Sequence, residues 1–214
     1  MGFQLTSKDY VEYIKRAYQL IHENGDYITE LDSATGDGDH WTNINMGFEA
    51  LVAAADSLEP LSVADEFKEI GKIMMSVIGG SSGVLYGSAY LAAAKTLKGK
   101  ETIGNEEMCG VLAAMLEAIM SRGNAQVGWK TMIDSLAPAV DCYKACIDGA
   151  VDEAATLEQV KKAAMDGAEK TKEMEAVRGR ATYQANKGIG HLDPGAVTMS
   201  YQITVLMDFI KEKL

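Results

Sequence analysis

The sequence predicts an all-α protein, and three observations carry that prediction. Apolar residues recur at steps of three and four, as at Phe67, Ile70, Met74 and Ile78, which is the spacing of one face of a helix. Only 3 of the 214 residues are proline, and good helix formers such as alanine, leucine, glutamate and lysine are plentiful. No stretch alternates between apolar and polar residues for long enough to indicate a strand.

Eight segments show this helical period. They span residues 7–24, 43–57, 63–78, 83–98, 106–121, 129–148, 157–175 and 195–213. Thr6 or Ser7, Ser62 and Thr156 stand where N-caps are expected, and Gln159 completes capping-box spacing with Thr156. The segment 83–98 and much of 195–213 are apolar nearly all round, which predicts interior positions for both.

One domain over residues 1–214 is the expected organisation. No linker-like run divides the chain, and no internal repeat is visible. The chain is long enough to bury a substantial core, since 47% of its residues are hydrophobic.

Charge and cysteine content exclude several functions. A net charge of -11 argues against nucleic-acid binding through a basic surface. Cys109, Cys142 and Cys146 form no CxxC pair and are predicted to be buried thiols. The odd cysteine count and the absence of an apolar signal segment predict a cytoplasmic protein. The most apolar run is too short for a bilayer, which needs about 20 residues, so no membrane partner is expected.

Four glycine-rich clusters interrupt the helices, and each leads into an apolar helix. They read "TGDGDHWTN", "GGSSGVLYG", "RGNAQVGWKTM" and "RGRATYQANKGIGHLDPGA". Ordinary connections between helices are shorter. Long polar loops on a rigid scaffold are where binding and catalytic residues concentrate.

The first cluster predicts a divalent-cation site. Asp32, Asp37 and Asp39 supply oxygen ligands without sulfur, which suits Mg²⁺ or Ca²⁺ rather than zinc. The glycine placement does not match an EF-hand. The alternative is a solvated acidic loop in which Asp39 or Asn43 caps the next helix.

The second cluster predicts a phosphate cradle. Free amides at a helix N-terminus, together with the hydroxyls of Ser81 and Ser82, suit a phosphate group. The lysine of a Walker A loop is absent. The alternative is a plain glycine turn with one serine as N-cap.

The last two clusters offer an apolar surface and positive charge. Met132 and the preceding glycine turn suit a flat ring, although Met132 as a plain core residue remains an alternative. Arg178 and Arg180 suit phosphate or a planar base. His191 is read either as a site residue or as a structural histidine. Asp193–Gly195 opens a helix with proline at its start.

Together these clusters predict phosphoryl transfer. A metal, a phosphate cradle and arginine supply positioning and charge neutralisation, from which most of that catalysis comes. No serine lies in a GxSxG elbow, and no histidine pair has zinc spacing, so acyl transfer and zinc chemistry are not indicated and no catalytic residue is assigned.

In its four clusters the chain resembles the L subunit of dihydroxyacetone kinase, the nucleotide-binding subunit. The motifs that carry the resemblance are "DSATGDGDH" with Asn43, "GGSSG", "GNAQVGWKTMIDSL" and "GRATYQANKGIGHLDPGA", in the family's order over essentially the whole chain. The resemblance implies a closed barrel of eight amphipathic antiparallel helices, in keeping with the eight predicted segments, and a nucleotide site at one end.

The resemblance also assigns site residues. Asp32, Asp37 and Asp39 match the aspartates that hold two Mg²⁺ ions. The positions that match contacts to ADP or ATP are His40, Trp41, Thr42, Asn43, Ser81, Ser82, Gly123, Met132, Arg180, Asp193, Pro194 and Gly195.

Partners follow from the same resemblance. The triose is held by a separate K subunit, so the chain is expected to act as a phosphotransferase only with that partner. In the bacterial phosphotransferase-system type, bound ADP is a coenzyme rephosphorylated by a phosphohistidine M subunit. A homodimer is also implied. Two alternatives stay open: a non-catalytic nucleotide-binding module that docks a transcription regulator, and a kinase subunit for another small keto-sugar.

The chain departs from the family's pattern at both of its tryptophans. Trp41 stands where the family usually has glycine, and Trp129 stands where it usually has aspartate. The segment "QANKGIG" also differs from the usual Glu-Arg-Ser or similar. Either the two rings reshape the rim where partners dock, or they pack against each other or against the nucleotide.

Overall fold

The computed structural model describes residues 2–214, and this part of the chain is helical with no strand. The all-α prediction is confirmed. The α-helices are α1 Ser7–Glu23, α2 Gly25–Thr35, α3 His40–Ala53, α4 Ala55–Leu58, α5 Val63–Val77, α6 Gly80–Thr96, α7 Asn105–Gly123, α8 Ile133–Asp148, α9 Glu153–Lys170 and α10 Pro194–Lys211. Two short 3₁₀ turns follow α9, at Thr171–Glu173 and Arg180–Tyr183.

Ten α-helices are present in residues 2–214 where the sequence predicts eight. The predicted helix 43–57 is divided into α3 and the single turn α4. Helix α2 falls in a segment predicted to be a loop. It buries only Ile28, Asp32 and Thr35, and one buried apolar side chain leaves no periodic pattern to detect.

The predicted helix starts have mixed outcomes. Thr6 accepts a hydrogen bond from Asp9 N, and Ser62 caps α5 in the same way, so both predicted N-caps are confirmed. The N-cap predicted at Thr156 is wrong. Asp152 accepts hydrogen bonds from two backbone amides instead, and α9 begins three residues before Thr156.

Helix α8 begins at Ile133 rather than at residue 129. Gly128 has φ +88° and Lys130 has φ +59°, and left-handed backbone of this kind cannot belong to a right-handed helix. The opening residues of the predicted helix therefore form a loop, and that loop enters the site described below.

The long helices pack in a continuous series of neighbours. Each helix contacts the next in the order α1, α3, α5, α6, α7, α8, α9 and α10. The last of them, α10, packs against α1. Helix α2 packs on α3 and α10. One apolar core joins these helices, and Tyr86, Tyr90, Tyr143, Phe48 and Phe67 are among its largest fully buried side chains.

The two cysteines Cys109 and Cys146 are buried and Cys142 is half-buried, all as free thiols. The prediction of buried thiols is thus confirmed for two of the three. Among residues 2–214 no helix combines the length and the apolar character that a bilayer span requires.

One acidic residue is buried among the helices without a hydrogen-bond partner. Glu66 in the first turn of α5 is 0% exposed, and its two carboxyl oxygens have no hydrogen-bond partner. Burial raises the pKa of Glu66 to about 9, so the side chain is protonated at neutral pH.

Candidate functional site

All four glycine-rich clusters contribute to one cavity of about 650 Å³. This volume suits a ligand of nucleotide size. Of the site residues predicted from the sequence, those that line the cavity are Asp32, Asp37, Asp39, His40, Ser81, Ser82, Gly123, Met132, Arg180, Asp193, Pro194 and Gly195. Trp41, Thr42 and Asn43 are not among the lining residues.

Three carboxylates form the acidic cluster, defined here as Asp32, Asp37 and Asp39. One oxygen from each lies within 4.8 Å of the others. Opposite ligands of Mg²⁺ stand about 4.2 Å apart, because each bond is about 2.1 Å long. The donor atoms and their spacing therefore fit a hard divalent cation. Asp32 is buried, whereas Asp37 and Asp39 are exposed on the cavity side.

Helix α2 presents Asp32 to the cavity from its last turn. The Oδ2 atom accepts a hydrogen bond from His40 N at 3.0 Å. Gly36 leaves room for the other oxygen, because a Cβ at Gly36 would lie 2.3 Å from Asp32 Oδ1. The glycine in this motif is thus required by a close approach to the carboxylate.

Helix α6 begins at the cavity without a side-chain cap, because Gly79 precedes it. Its first turn therefore presents backbone amides that the helix itself does not pair, and these favour an anion together with the helix dipole. Asp39 precedes α3 and makes no side-chain cap either, but the first amide of α3, His40 N, already donates to Asp32. Helix α6 begins at Gly80, so Ser81 and Ser82 lie inside its first turn rather than before it.

Beyond the polar end, the cavity has an apolar wall. Val84, Leu85, Ile119 and Ile133 line it beside Met132, which is 7% exposed. Gly195 lies against this wall, since a Cβ there would come 3.6 Å from Met132 N. A polar end next to an apolar end suits a phosphate-bearing ligand with a flat ring.

His40 joins α3 to α10. Its Nε2 lies 2.9 Å from Thr198 Oγ1. Burial lowers the pKa of His40, while the charges of Asp32 and Asp39 act in the opposite direction. The imidazole is therefore neutral at pH 7 and leaves the negative charge of the acidic cluster uncompensated.

A second charged group, here called the lysine cluster, consists of Lys130, Asp134, Thr171, His191 and Asp193, of which Lys130 and Asp193 line the cavity. Lys130 is 2% exposed, and its Nζ donates hydrogen bonds to the backbone oxygens of Thr171 and His191. Burial lowers the pKa of Lys130, and the carboxylates of Asp193 and Asp134 oppose that effect.

The two acids of the lysine cluster also have defined roles. Asp134 accepts hydrogen bonds from Gly128 N and Thr131 N and so holds the loop before α8. Asp193 caps α10 by accepting a hydrogen bond from Ala196 N at 2.7 Å. Burial raises the pKa of Asp193 to about 7.

Residues 177–184, here called the arginine strap, cross the mouth of the cavity. Arg180 Nη2 lies 2.6 Å from Asp37 Oδ2. Arg178 donates to Asn124 O and stands 5.4 Å from the centre of the Trp129 ring. The strap is therefore attached on both sides of the cavity.

The three predicted contacts that do not line the cavity lie just behind the acidic cluster. The Trp41 indole donates to Ile21 O at 3.2 Å and faces the His22 ring. Thr42 is exposed. Asn43 donates to Asp39 O at 3.0 Å and lies beside Gly79, so it does not open α3. Their role in nucleotide binding stays a prediction, and within residues 2–214 Trp41 and Trp129 pack on different groups.

Several cavity residues are absent from the predicted set. They are Thr35, Gly36, Val84, Leu85, Ile119, Arg122, Ala125, Lys130, Thr131, Ile133, Gly179 and Ala181, and Arg178 also lines the cavity, as its suitability for phosphate predicts. Lys130 stands inside a cluster that the sequence singles out, and a lysine between a glycine turn and an apolar helix is the signal that would have found it. The apolar residues look like core positions in the sequence.

The match to a family model covers residues 34–208, and the model is that of the DAK2 domain. The chain belongs to the DAK2-domain family. Among its relatives is the PEP-dependent dihydroxyacetone kinase 1, ADP-binding subunit DhaL, of Listeria innocua, which is 40% identical over 83% of this chain and 84% of its own length. The PTS-dependent dihydroxyacetone kinase, ADP-binding subunit DhaL, of Lactococcus lactis is 35% identical over 96% of this chain and 99% of its own length. The resemblance drawn from the motifs is confirmed.

The DAK2-domain fold is also found in a solved dihydroxyacetone kinase of C. freundii. The native form superposes with a TM-score of 0.73 at 24% identity, over 92% of this chain. The form in complex with AMP-PNP and Mg²⁺ gives a TM-score of 0.71. This chain spans about a third of that kinase's length, 34% in the native form, so these structures show the fold.

Proposed function

We propose that this chain is the nucleotide-binding subunit of a dihydroxyacetone kinase and acts as a phosphotransferase together with a partner subunit. One observation carries the proposal: the acidic cluster and the uncapped N-terminus of α6 line a single cavity. Carboxylates by themselves would repel a phosphate, and free amides by themselves would bind a phosphate without any carboxylate nearby. A divalent cation bound to a polyphosphate explains why the two groups occur together.

Each part of the site has a role in this proposal. The acidic cluster holds Mg²⁺, with two ions as in the resemblance. Bound Mg²⁺ neutralises the phosphate oxygens and polarises the transferred group. The amides that open α6, with Ser81 and Ser82, hold the phosphates, and Arg180 adds a positive charge at the cavity. Met132 and Gly195 form the surface for the base.

In this proposal the site positions the nucleotide. The acceptor hydroxyl belongs to a dihydroxyacetone held on a K subunit, and the phosphoryl group passes to it in line. Neutral His40 orients the first turn of α3 through Thr198 and Asp32.

The relatives support the finer points without deciding them. The names of the bacterial relatives call them ADP-binding and either PEP-dependent or PTS-dependent. We infer that bound ADP is a coenzyme here, rephosphorylated by a phosphohistidine M subunit. The continuous series of helix neighbours supports a closed barrel, and the single core supports one domain over 1–214. A homodimer and a cytoplasmic location stay predictions.

Native mass spectrometry of the purified chain tests the proposal. We expect retention of ADP or ATP with Mg²⁺, and loss of that retention in Asp37→Ala. Asp56→Ala, an exposed aspartate on α4, is the matched control and keeps the nucleotide. A chain that retains no nucleotide with Mg²⁺, or an Asp37→Ala variant that binds as well as the parent, contradicts the proposal.

A mixing experiment separates the kinase subunit from its alternatives. The chain is incubated with a K subunit, dihydroxyacetone and either ATP or a phosphorylated M subunit. Product with the M subunit supports the coenzyme role. Product with neither donor, together with binding to a transcription regulator, favours a non-catalytic module, and product only with another keto-sugar changes the substrate.

A further inference from the structure

Helix α2 carries a metal ligand but is weakly anchored. Asn24 precedes it and makes no side-chain cap, and Ile28 is its one buried apolar side chain. An isolated helix of 11 residues is only marginally stable in water. The position of Asp32 in its last turn must therefore depend on contacts from other elements.

Trp41, in the first turn of α3, supplies such a contact at the other end of α2. Gly25 opens α2, and a Cβ at that position would lie 2.8 Å from Trp41 Cε2. The indole ring thus occupies the space that the missing side chain leaves. Its Nε1 donates to Ile21 O in the last turns of α1, so one side chain joins three helices.

The first turn of α3 consequently holds α2 at two points. Trp41 packs on Gly25 at the start of the helix, and His40 N donates to Asp32 at its end. These points are seven residues apart, or about 10 Å along a helix. Two contacts separated by this distance fix both the position and the direction of α2 against α3.

We propose that Trp41 is a positioning residue that orients Asp32 for the divalent cation by fastening the start of α2 to α1 and α3. The proposal rests on the proposed function, because it gives a purpose to the orientation of Asp32. It also accounts for the tryptophan at a position where the family usually has glycine: the ring complements Gly25 rather than contacting the ligand.

A double-mutant cycle tests the contact itself. Gly25→Ala in the parent forces a methyl group against the indole, and we expect a lower midpoint of unfolding. In the Trp41→Ala background the same change meets no ring, and alanine favours the helix, so we expect no loss. Equal losses in both backgrounds would overturn this contact.

Hydrogen exchange and cation dependence test the positioning. In Trp41→Ala, the amides of residues 28–35 should exchange faster, and the Mg²⁺ concentration for half-maximal ADP retention should rise about tenfold, as for other residues that orient metal ligands. At saturating Mg²⁺ the affinity for ADP should return to that of the parent. Trp41→Phe keeps an aromatic ring, so its amide exchange rates and its Mg²⁺ requirement should lie between those of the parent and those of Trp41→Ala.

Val52→Ala, a half-buried apolar residue near the other end of α3, is the matched control and should change neither readout. Unchanged exchange in α2, or faster exchange with an unchanged Mg²⁺ requirement, overturns the proposal and leaves Trp41 a packing residue. If the parent retains no ADP, Mn²⁺ binding without nucleotide is compared. If Trp41→Ala then binds Mn²⁺ more weakly than the parent, the positioning role of Trp41 stands and the nucleotide function alone is refuted. A parent that binds neither ADP nor Mn²⁺ refutes both the nucleotide function and the positioning role.

Discussion

The lysine cluster and the acidic cluster carry similar numbers of acids but use them in opposite ways. In the lysine cluster, the chain provides its own buried cation, and Lys130, Asp134 and Asp193 all have hydrogen-bond partners. In the acidic cluster, two carboxylates are exposed, and the cation at hand is Arg180, whose side chain is 63% exposed. The charged groups of the lysine cluster are paired within the protein, so this cluster serves as scaffold. The acidic cluster keeps negative charge that the protein does not balance, so it is suited to bind a ligand.

Removing the internal cation should have the largest effect. Lys130→Met leaves two buried carbonyls without a donor and two acids without a positive neighbour, and we expect the free energy of unfolding to fall by about 3 kcal/mol. Denaturant titration measures it. Lys172→Met, an exposed lysine paired with Glu169, is the control and should change stability by less than about 0.5 kcal/mol. If the two changes lower stability equally, the lysine cluster has no special role as scaffold.

Removing acids from the acidic cluster should act on binding instead. Asp39→Ala is expected to weaken Mg²⁺-dependent ADP binding by about 100-fold, since a cation ligand is lost. Stability should stay the same or rise, because like charges are separated. Calorimetric titration and thermal unfolding measure the two quantities. If Asp39→Ala is less stable than the parent but binds ADP equally well, the acidic cluster is scaffold as well.

The pH dependence of Asp193 sharpens the comparison within the scaffold. Burial raises the pKa of its carboxyl to about 7 from the ordinary 3.8. The folded state therefore binds the extra proton between these values, and the parent loses stability as pH rises through that interval. Asp193→Asn keeps a capping oxygen, and its stability relative to the parent should rise between pH 4 and pH 7. A constant difference between pH 4 and pH 7 would contradict this assignment.

The smallest effect on stability is expected at the contact that joins the strap to the acidic cluster. Arg180→Ala removes an exposed ion pair with Asp37, whose typical contribution is below about 1 kcal/mol. Nucleotide binding should nevertheless fall severalfold, because a positive charge leaves the mouth of the cavity. Chemical unfolding and ADP titration, compared with Lys187→Ala on the same connection, measure the difference. A large loss of stability would place Arg180 with the scaffold.

The sequence predicts the parts of the fold that rest on repeated apolar spacing and local capping. Helix α5 follows from Ser62 and the apolar series after it, and it is found at Val63–Val77. Helix α2 could not be predicted, because Ile28 is its one buried apolar side chain and its position depends on packing against α3 and α10. Local patterns do not report contacts of that kind.

The site, like the fold, could be predicted from the sequence only in part. Residue type and spacing predicted the acidic cluster, since three acids on a glycine-rich segment are unusual in themselves. Lys130 was not assigned, because its partners are backbone oxygens of Thr171 and His191, about 40 and 60 positions along the chain. The ring of Trp41 was expected near the nucleotide, and its place against Gly25 depends on how α2 lies, which no short motif encodes.

The buried acid at Glu66 makes folding of this protein a proton-consuming reaction. At pH 7 an unfolded chain carries that carboxyl ionised, since its ordinary pKa is 4.5, and the folded chain carries it protonated. Each molecule that folds therefore withdraws about one proton from the solvent through this residue. A concentrated sample refolding in weak buffer should turn it more basic, and mild acidity should help the chain to fold.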